Sequence, residues 1–173
     1  MKCSLARGKR AWMTTITDLP GRLQQPQGFA VDADGSAILC GGSQMVELAE
    51  WPGVKFAGWI VKMRGRTGVR AWTRSFFNQS AAGGMNGWLA DVAVDGKGRI
   101  YAAGGWETTA NAADGIVTRY STAGVAQKLW TVAGEAAGYT DCRSLLAASS
   151  GVFTGGVLVT AAGESSFAQR LRP

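Results

Sequence analysis

The sequence GFAVDADGSAILCGGS at residues 28–43 sets the pattern that the rest of the chain repeats. It holds two apolar runs on either side of Asp34-Gly35, a dipeptide that favours a tight turn because glycine tolerates a positive φ. Runs of this length and composition, bounded by Gly, Asp and Ser, are typical of strands. The stretch predicts a β-hairpin, with strand A over 28–33 and strand B over 36–42.

The same stretch occurs twice more along the chain. LADVAVDGKGRIYAAGGW at residues 89–106 aligns with it, and RSLLAASSGVFTGGV at 143–157 aligns more loosely. The third copy is one residue shorter at its turn and departs most from the hairpin pattern. The alignment places paired glycines at equivalent positions in the three copies: Gly41-Gly42, Gly104-Gly105 and Gly155-Gly156.

Two further blocks follow each hairpin. GWIVKM at 58–63 matches GIVTRY at 115–120, and SFAQRL at 166–171 is a looser copy. A glycine turn and a tryptophan then recur in ARGKRAWMTTI, RTGVRAWTRSF and TAGVAQKLWTV. The blocks lack the 3.6-residue periodicity of a helix, so they predict strands C (58–63) and D (69–76) with their equivalents. The repeats span about residues 28–80, 89–135 and 143–173.

Four-stranded antiparallel sheets repeated along a chain are typical of a β-propeller. The blocks VDADGSAILCGG, VDGKGRIYAAGG, GWIVKM and GIVTRY resemble those of the bacterial seven-bladed β-propeller repeat family (SBBP repeats). The resemblance covers nearly the whole chain, although the third copy lacks the Val-Asp pair. It implies a propeller fold, a location at the cell surface or outside the cell, and no established catalytic residues. It also implies structural roles for Asp32 and Asp95 before the A–B turn, and for the strand-D aromatics Trp12, Trp72 and Trp130.

We expect residues 1–173 to form one all-β domain of about three four-stranded blades, offset by one strand. The first 18 residues are expected to supply a lone outer strand D at about 10–16. Propellers have about four to eight blades, and an open arc of three leaves apolar faces in water. Two completions stay open: a head-to-tail homo-oligomer whose N-terminal strand completes the neighbour's last blade, or the remaining blades of a longer chain.

The composition restricts the chemistry available to the chain. It has 18 Lys+Arg against 12 Asp+Glu, a net charge of +6 and no histidine. The lack of histidine excludes Ser-His-Asp and Cys-His nucleophiles and any His-ligated metal site. The 46% hydrophobic content and seven tryptophans argue against disorder. No apolar run reaches the roughly 18 residues of a transmembrane helix, and we expect no membrane span.

The cysteines and the N-terminal residues say little about the compartment. Cys3, Cys40 and Cys142 form no CxxC motif, and Cys40 lies in an apolar run typical of a core position. The basic stretch MKCSLARGKR is not followed by the apolar segment of a signal peptide. Localisation is therefore suggested only by the family resemblance.

The acidic residues predict neither a metal site nor an acid–base pair. Asp32-Ala-Asp34-Gly35 lacks the further acidic residues and the downstream Glu of an EF-type calcium loop, so a hairpin turn is favoured. The glycine-rich stretch at 81–87 lacks the Lys-Ser/Thr of a phosphate-binding loop. A strand–turn–strand segment spreads its carboxylates over different faces, which disfavours catalysis by Asp91, Asp95, Glu107 and Asp114. We expect no enzymatic activity and no cofactor.

Three tryptophans do not follow the repeat and form a candidate ligand or partner surface. Trp51 and Trp106 fall in B–C connections and Trp88 in a D–A connection, which emerge on the same side of a propeller. Loops on a rigid scaffold commonly carry recognition. The alternative is local packing of the loops or of the blade–blade interface.

Four arginines cluster on one C–D hairpin and form a candidate polyanion patch: Arg64, Arg66, Arg70 and Arg74. A basic stripe is the electrostatic footprint of polyanion binding. The favoured alternative is a solvated blade edge, where charge prevents pairing with other chains.

Taken together, the sequence predicts a non-catalytic propeller scaffold that presents its loops to a protein or a glycan. The alternative is a lectin-like or sugar-processing domain that uses the central cavity or the top-face loops. Nucleic acid is not an expected partner.

Overall fold

The computed structural model describes residues 2–3, 10–16, 19, 23–44, 56–76, 86–109, 112–132 and 138–172. Throughout these ranges the chain forms strands and turns and no helix, which confirms the predicted all-β class. Within the same ranges there is accordingly no helix long and apolar enough to cross a membrane.

The chain begins with a short antiparallel pair of strands, β1 (Lys2–Cys3) and β2 (Arg10–Trp12). The strand predicted in the first 18 residues is therefore shorter than expected and is not alone, because β1 pairs with it. β1 matches the end of strand C in the repeat and β2 matches strand D.

Three antiparallel meanders follow. The first sheet consists of β3 (Leu23–Val31), β4 (Ala37–Gln44), β5 (Phe56–Met63) and β6 (Arg70–Phe76), paired in that order. The middle sheet consists of β7 (Gly87–Val94), β8 (Ile100–Thr109), β9 (Ala112–Tyr120) and β10 (Ala126–Val132). The third sheet consists of β11 (Tyr139–Ala148), β12 (Gly151–Thr160) and β13 (Gly163–Leu171).

The middle and third sheets touch at one edge through a single parallel residue pair. Ala113 of β9 pairs with Tyr139 of β11, which makes the two sheets one hydrogen-bonded sheet of seven strands. The described strands do not close into a ring or a barrel.

The A–B hairpins form where the sequence predicts them. In the first turn the N–H of Gly35 donates to the carbonyl of Asp32 at 2.9 Å, and Gly35 has a φ of +78°. The second turn repeats this geometry, with Gly98 at a φ of +75°. The hairpin of the third copy also forms, between β11 and β12.

A β-bulge occurs at the same place in the first strand of every sheet. The extra residues are Gln27, Ala90 and Arg143. Each bulged strand brings a backbone carbonyl so close to the neighbouring strand that a Cβ there would lie 1.9–2.0 Å from its oxygen. Only glycine fits this approach. The glycines are Gly41, Gly104 and Gly156.

This contact corrects the alignment of the third copy. Gly156, not Gly155, is equivalent to Gly41 and Gly104, because each of these glycines pairs with the residue that directly precedes the bulge. Strand A also begins earlier than predicted, at Leu23, because the bulge extends the pairing of β3 with β4.

Two cores lie between the stacked sheets, and alternate residues of the middle-sheet strands point into one or the other. Between the first and middle sheets, Ile38, Cys40 and Ile60 pack against Leu89 and Ile100. The second core lies between the middle and third sheets, where the larger buried members are Tyr101, Val117, Cys142, Val152 and Leu171.

Side chains of the fourth strands lock each sheet onto the next. Trp12 donates its indole N–H to the carbonyl of Gly65 at 2.9 Å, and Trp72 donates to the carbonyl of Thr122 at 3.0 Å. Each ring covers a glycine of positive φ in the same turn, Gly68 or Gly124, respectively.

The third tryptophan of the predicted series does not occupy the corresponding position. Trp72 pairs with Lys62, and the residue paired with the equivalent Arg119 is Lys128. The Lys128 ammonium donates to the carbonyl of Arg172 at 3.4 Å, as the two indoles do to theirs. Trp130 lies two residues further on and packs near Tyr101, with ring centroids 6.3 Å apart. The expected equivalence of Trp130 with Trp12 and Trp72 is wrong in this respect.

Candidate functional site

The first strands of the three sheets converge on one concave region, the inner-strand pocket, with a volume of 460 Å³. Two sets of equivalent positions line it: those two residues before each bulge, and the bulge residues themselves. Phe56, Gly42 and Leu89 complete the lining. The side chains at the first set are Gln25, Trp88 and Asp141, and those at the second set are Gln27, Ala90 and Arg143.

Trp88 has a positioning role in this pocket. Its indole N–H donates to Oδ1 of Asp141 at 2.7 Å. Its ring stacks on Tyr139, with centroids 5.8 Å apart and an interplanar angle of 8°, and lies against Gly105, where a Cβ would approach to 2.5 Å. Because both contacts use the ring, Trp88 holds Asp141 in place and does not offer an open aromatic face.

Asp141 links the pocket's polar groups. Its second oxygen, Oδ2, accepts from Nε of Arg143 at 2.9 Å. The Asp141 carboxylate is buried, whereas the Arg143 side chain is 60% exposed, so the guanidinium keeps donors free for a ligand. Gln25 and Gln27 are exposed across the pocket. The region thus presents amide and guanidinium groups around the apolar edge of Phe56.

The side chains that line the pocket differ from one repeat to the next. The glycines opposite the bulges recur because the backbone geometry requires them, but the inner-strand side chains do not recur. Packing restricts the residue types at the buried positions of a repeat. The exposed positions are less restricted, so their side chains can differ between repeats and contact a ligand.

A second concave region, the basic groove, has a volume of 860 Å³ and lies between the C–D turns of the first and middle sheets. Three of the four arginines predicted to form a patch line it: Arg64, Arg66 and Arg74. The fourth, Arg70, lines a separate groove with Thr14 and Ile16. The cause is a bulge at Ala71, which turns Arg70 to the other face of the sheet.

Trp106, another tryptophan of the predicted surface, does not join the pocket. Trp106 stacks on Phe76, with centroids 5.6 Å apart and an interplanar angle of 5°, and packs against the core between the first and middle sheets. This matches the packing alternative. Trp51 lies outside the described residues.

The acidic residues are engaged separately in the structure. The buried Asp32 carboxylate pairs with the buried Lys62 ammonium at 2.5 Å, and Asp91 accepts from the backbone N–H of Leu145 at 2.7 Å. Glu107 accepts from the Asn86 amide at 2.8 Å. No three His, Cys, Asp or Glu side chains in the described ranges lie close enough together to hold a metal ion.

Asp95 is held ionised by its own turn. Burial opposes ionisation, but hydrogen bonds from the Arg99 side chain and from the backbone N–H groups of Arg99 and Lys97 outweigh it and lower the pKa of Asp95. The carboxylate therefore stabilises the second A–B turn.

Two of the cysteines are core residues. Cys40 and Cys142 are free and fully buried. Burial raises the pKa of Cys40 to about 12 and that of Cys142 to about 11, which keeps both as unreactive thiols. The expectation that Cys40 is a small core side chain is confirmed.

Of these pocket residues the sequence pattern singled out Trp88, but as a residue of a D–A connection, whereas the structure places it in β7. The pattern did not single out Gln25, Gln27, Asp141 or Arg143. What these residues share is their position in the strand. Each is either a bulge residue or lies two residues before one, and each bulge faces a recurring glycine. Locating that bulge from sequence needs the pairing register, which the strand pattern alone leaves open.

Neither a protein-family model nor a curated protein matches the chain.

Proposed function

We propose that the protein is a non-catalytic scaffold of β-propeller type and that its inner-strand pocket binds a glycan. The stacked meanders, with equivalent bulges and alternating core faces, support the architecture. The proposed function depends on the convergence of unlike polar side chains from three equivalent strands in one pocket.

The side chains of the pocket suit a ligand rich in hydroxyl groups. Glutamine amides donate and accept, the Arg143 guanidinium donates, and Phe56 supplies an apolar surface. A ligand with alternating hydroxyl and C–H surfaces uses all three kinds of group.

The hydrogen bonds of the pocket carboxylate, Asp141, favour glycan binding over glycan hydrolysis. Glycoside hydrolysis commonly uses two carboxyl groups flanking the scissile bond. Asp141 is the one carboxylate among the residues that line the pocket, and its two oxygens accept from Trp88 and Arg143. These bonds occupy both oxygens of Asp141 and give this side chain a structural role.

The test is a screen of neutral oligosaccharides, followed by affinity measurements on a double variant, Gln27→Ala with Arg143→Ala. We expect at least one glycan to bind and the double variant to lose about tenfold in affinity, the worth of about one good hydrogen bond. Gln169→Ala, which removes an exposed glutamine from β13, is the matched control. Retention of full affinity by the double variant would contradict the proposal, as would a screen without any bound glycan.

A second candidate function, assembly with another copy of the chain, is favoured by the outer face of the third sheet. Phe153 in the third sheet is equivalent to Ile38 in the first sheet and Tyr101 in the middle sheet. The following sheet buries both of those side chains completely. Phe153 remains partly exposed under the guanidinium of Arg170, and its cross-strand neighbour Leu146 is 61% exposed. This face has the composition and register of a surface onto which a further sheet packs, and a head-to-tail second copy supplies one.

A further inference from the structure

We propose that the basic groove binds a sugar that carries sulfate or phosphate esters. Arg64, Arg66 and Arg74 line this one concavity, and the residues that line it include a single carboxylate, Asp34. The site is separate from the inner-strand pocket and does not depend on the glycan proposed there.

The three arginines have no carboxylate partner within the part of the chain that the structure describes. No described ion pair involves Arg64, Arg66 or Arg74, whereas the neighbouring Lys62 is paired with Asp32 and Asp34. Like charges in one groove repel each other, and an oxyanion placed between them removes that repulsion. The planar guanidinium also matches sulfate and phosphate oxygens through paired hydrogen bonds.

The turn that carries Arg64 and Arg66 is held from two sides. The N–H of Gly65 donates to the hydroxyl of Ser36 at 3.4 Å, and a Cβ on Gly65 would lie 2.1 Å from the carbonyl oxygen of Gly35. On the other side, the Trp12 indole donates to the carbonyl of Gly65. A fixed turn displays the two guanidinium groups from a rigid base, which lowers the entropic cost of binding.

Arg74 faces them across the groove and is also fixed. Its Nε donates to the carbonyl of Gly124 at 2.8 Å and its Nη1 to that of Thr73 at 2.7 Å. Two of the five guanidinium N–H donors serve these bonds, and the others are left for a ligand.

The aromatic geometry favours a sugar over a nucleic acid. Base recognition in single strands relies on open aromatic faces. Trp72 lines the groove, but its ring lies against Gly124 and has the Arg74 guanidinium 5.8 Å from its centroid. Ala71, Ala123 and the indole edge form an apolar wall that suits the C–H face of a sugar ring.

The test measures fluorescence anisotropy of labelled oligosaccharides over a series of salt concentrations. The probes are a heparin-derived sulfated tetrasaccharide, its desulfated counterpart and a tetrasaccharide with phosphate monoesters. We expect the sulfated or the phosphorylated probe to bind and the desulfated one not to bind. The tighter of the two anionic probes identifies the ester. The variant Arg64→Gln with Arg66→Gln should weaken binding about tenfold or more and reduce the salt dependence.

The control removes the same charge elsewhere. Lys97→Gln with Arg172→Gln changes two exposed residues outside the groove and should bind like the wild type. Gln27→Ala, in the inner-strand pocket, should also leave this binding unchanged. Equal loss in the charge-matched control would overturn the proposal, because net charge alone would explain the binding. Absence of binding by both anionic probes, or tighter binding of single-stranded DNA, would overturn it as well.

Discussion

The interface between the first and middle sheets and the interface between the middle and third sheets have the same strand register but different chemistry. The former buries a broad apolar cluster and is locked by the Trp72 indole on the turn at Gly124. The latter has a smaller apolar cluster, and two carboxylates take part in its polar contacts: the Leu145 N–H donates to Asp91, and the Trp88 indole donates to Asp141. Lys128 stands where Trp72 stands in the first sheet.

This difference indicates how a repeat divides its tasks. Apolar burial gives stability without direction, whereas buried hydrogen bonds specify one geometry for the groups that make them. The apolar interface therefore stabilises the stack, and the polar interface positions the side chains of the inner-strand pocket. We expect the third sheet to open first in hydrogen exchange.

The largest effect on stability is expected from adding one methyl group to Gly104, the glycine that faces the bulge of the middle sheet. The middle sheet contributes to both interfaces. Gly104→Ala places a Cβ 2.0 Å from the Trp88 carbonyl oxygen and should lower the free energy of unfolding by about 3 kcal/mol or more. Urea denaturation measures the change.

Two matched substitutions sharpen this result. Gly156→Ala makes the same clash in the third sheet, and its increase in hydrogen exchange should be concentrated in β11–β13. Gly96→Ala adds a methyl group where no atom lies within 4 Å and should change stability by less than about 0.5 kcal/mol. A large loss at Gly96 would contradict the role assigned to the bulge contact.

An intermediate effect is expected from exchanging the lock residues. Trp72→Lys gives the first sheet the side chain that the middle sheet carries at this position, and should cost about 2 kcal/mol through lost ring contact with Gly124 and Tyr120. Thermal unfolding reports the loss.

Lys128→Ala is the companion variant at the equivalent position. It should cost about 1 kcal/mol or less, because an exposed ammonium contributes little beyond its contact with the Trp130 ring. If the two substitutions cost the same, the two interfaces do not differ in the way described.

The smallest effect on stability is expected at the outer face of the third sheet. Leu146→Glu changes an exposed residue and should shift the free energy of unfolding by about 0.5 kcal/mol or less. It should nevertheless reduce the molar mass in light scattering from that of a dimer to that of one chain, because the charge lies on the face proposed to meet the second copy.

Leu129→Glu offers the control for the assembly, since Leu129 is an exposed residue of the middle sheet. It should leave the molar mass at the dimer value. A wild-type protein that stays at the mass of one chain at every concentration would show that a second copy does not cover this face.

Much of the strand layout could be predicted from the local pattern. Asp34-Gly35 and Gly98 mark turns because their backbone geometry depends on neighbouring residues only. The position of Trp130 could not be predicted in the same way. Trp130 lies six positions after Gly124, whereas Trp72 lies four positions after Gly68. The extra two residues place Lys128 in the lock, a result that depends on the pairing register of β9 and β10.

The candidate sites show the same limit. Part of the basic groove could be predicted from the sequence, since Arg64 and Arg66 adjoin one turn. The separation of Arg70 from them could not be predicted, because it depends on a bulge at Ala71 that the local sequence does not indicate. The inner-strand pocket joins residues that are more than 100 positions apart, from Gln25 to Arg143. Their proximity arises from stacking the sheets.

The sequence by itself determined the all-β class, the repeat and the turns, because alternating apolar strands and glycine turns are local properties of the chain. Only the tertiary structure decided which of the equivalent positions pack in the cores and which line the candidate sites. That decision depends on the bulges and on which face each sheet buries, and both follow from contacts between residues far apart in the chain.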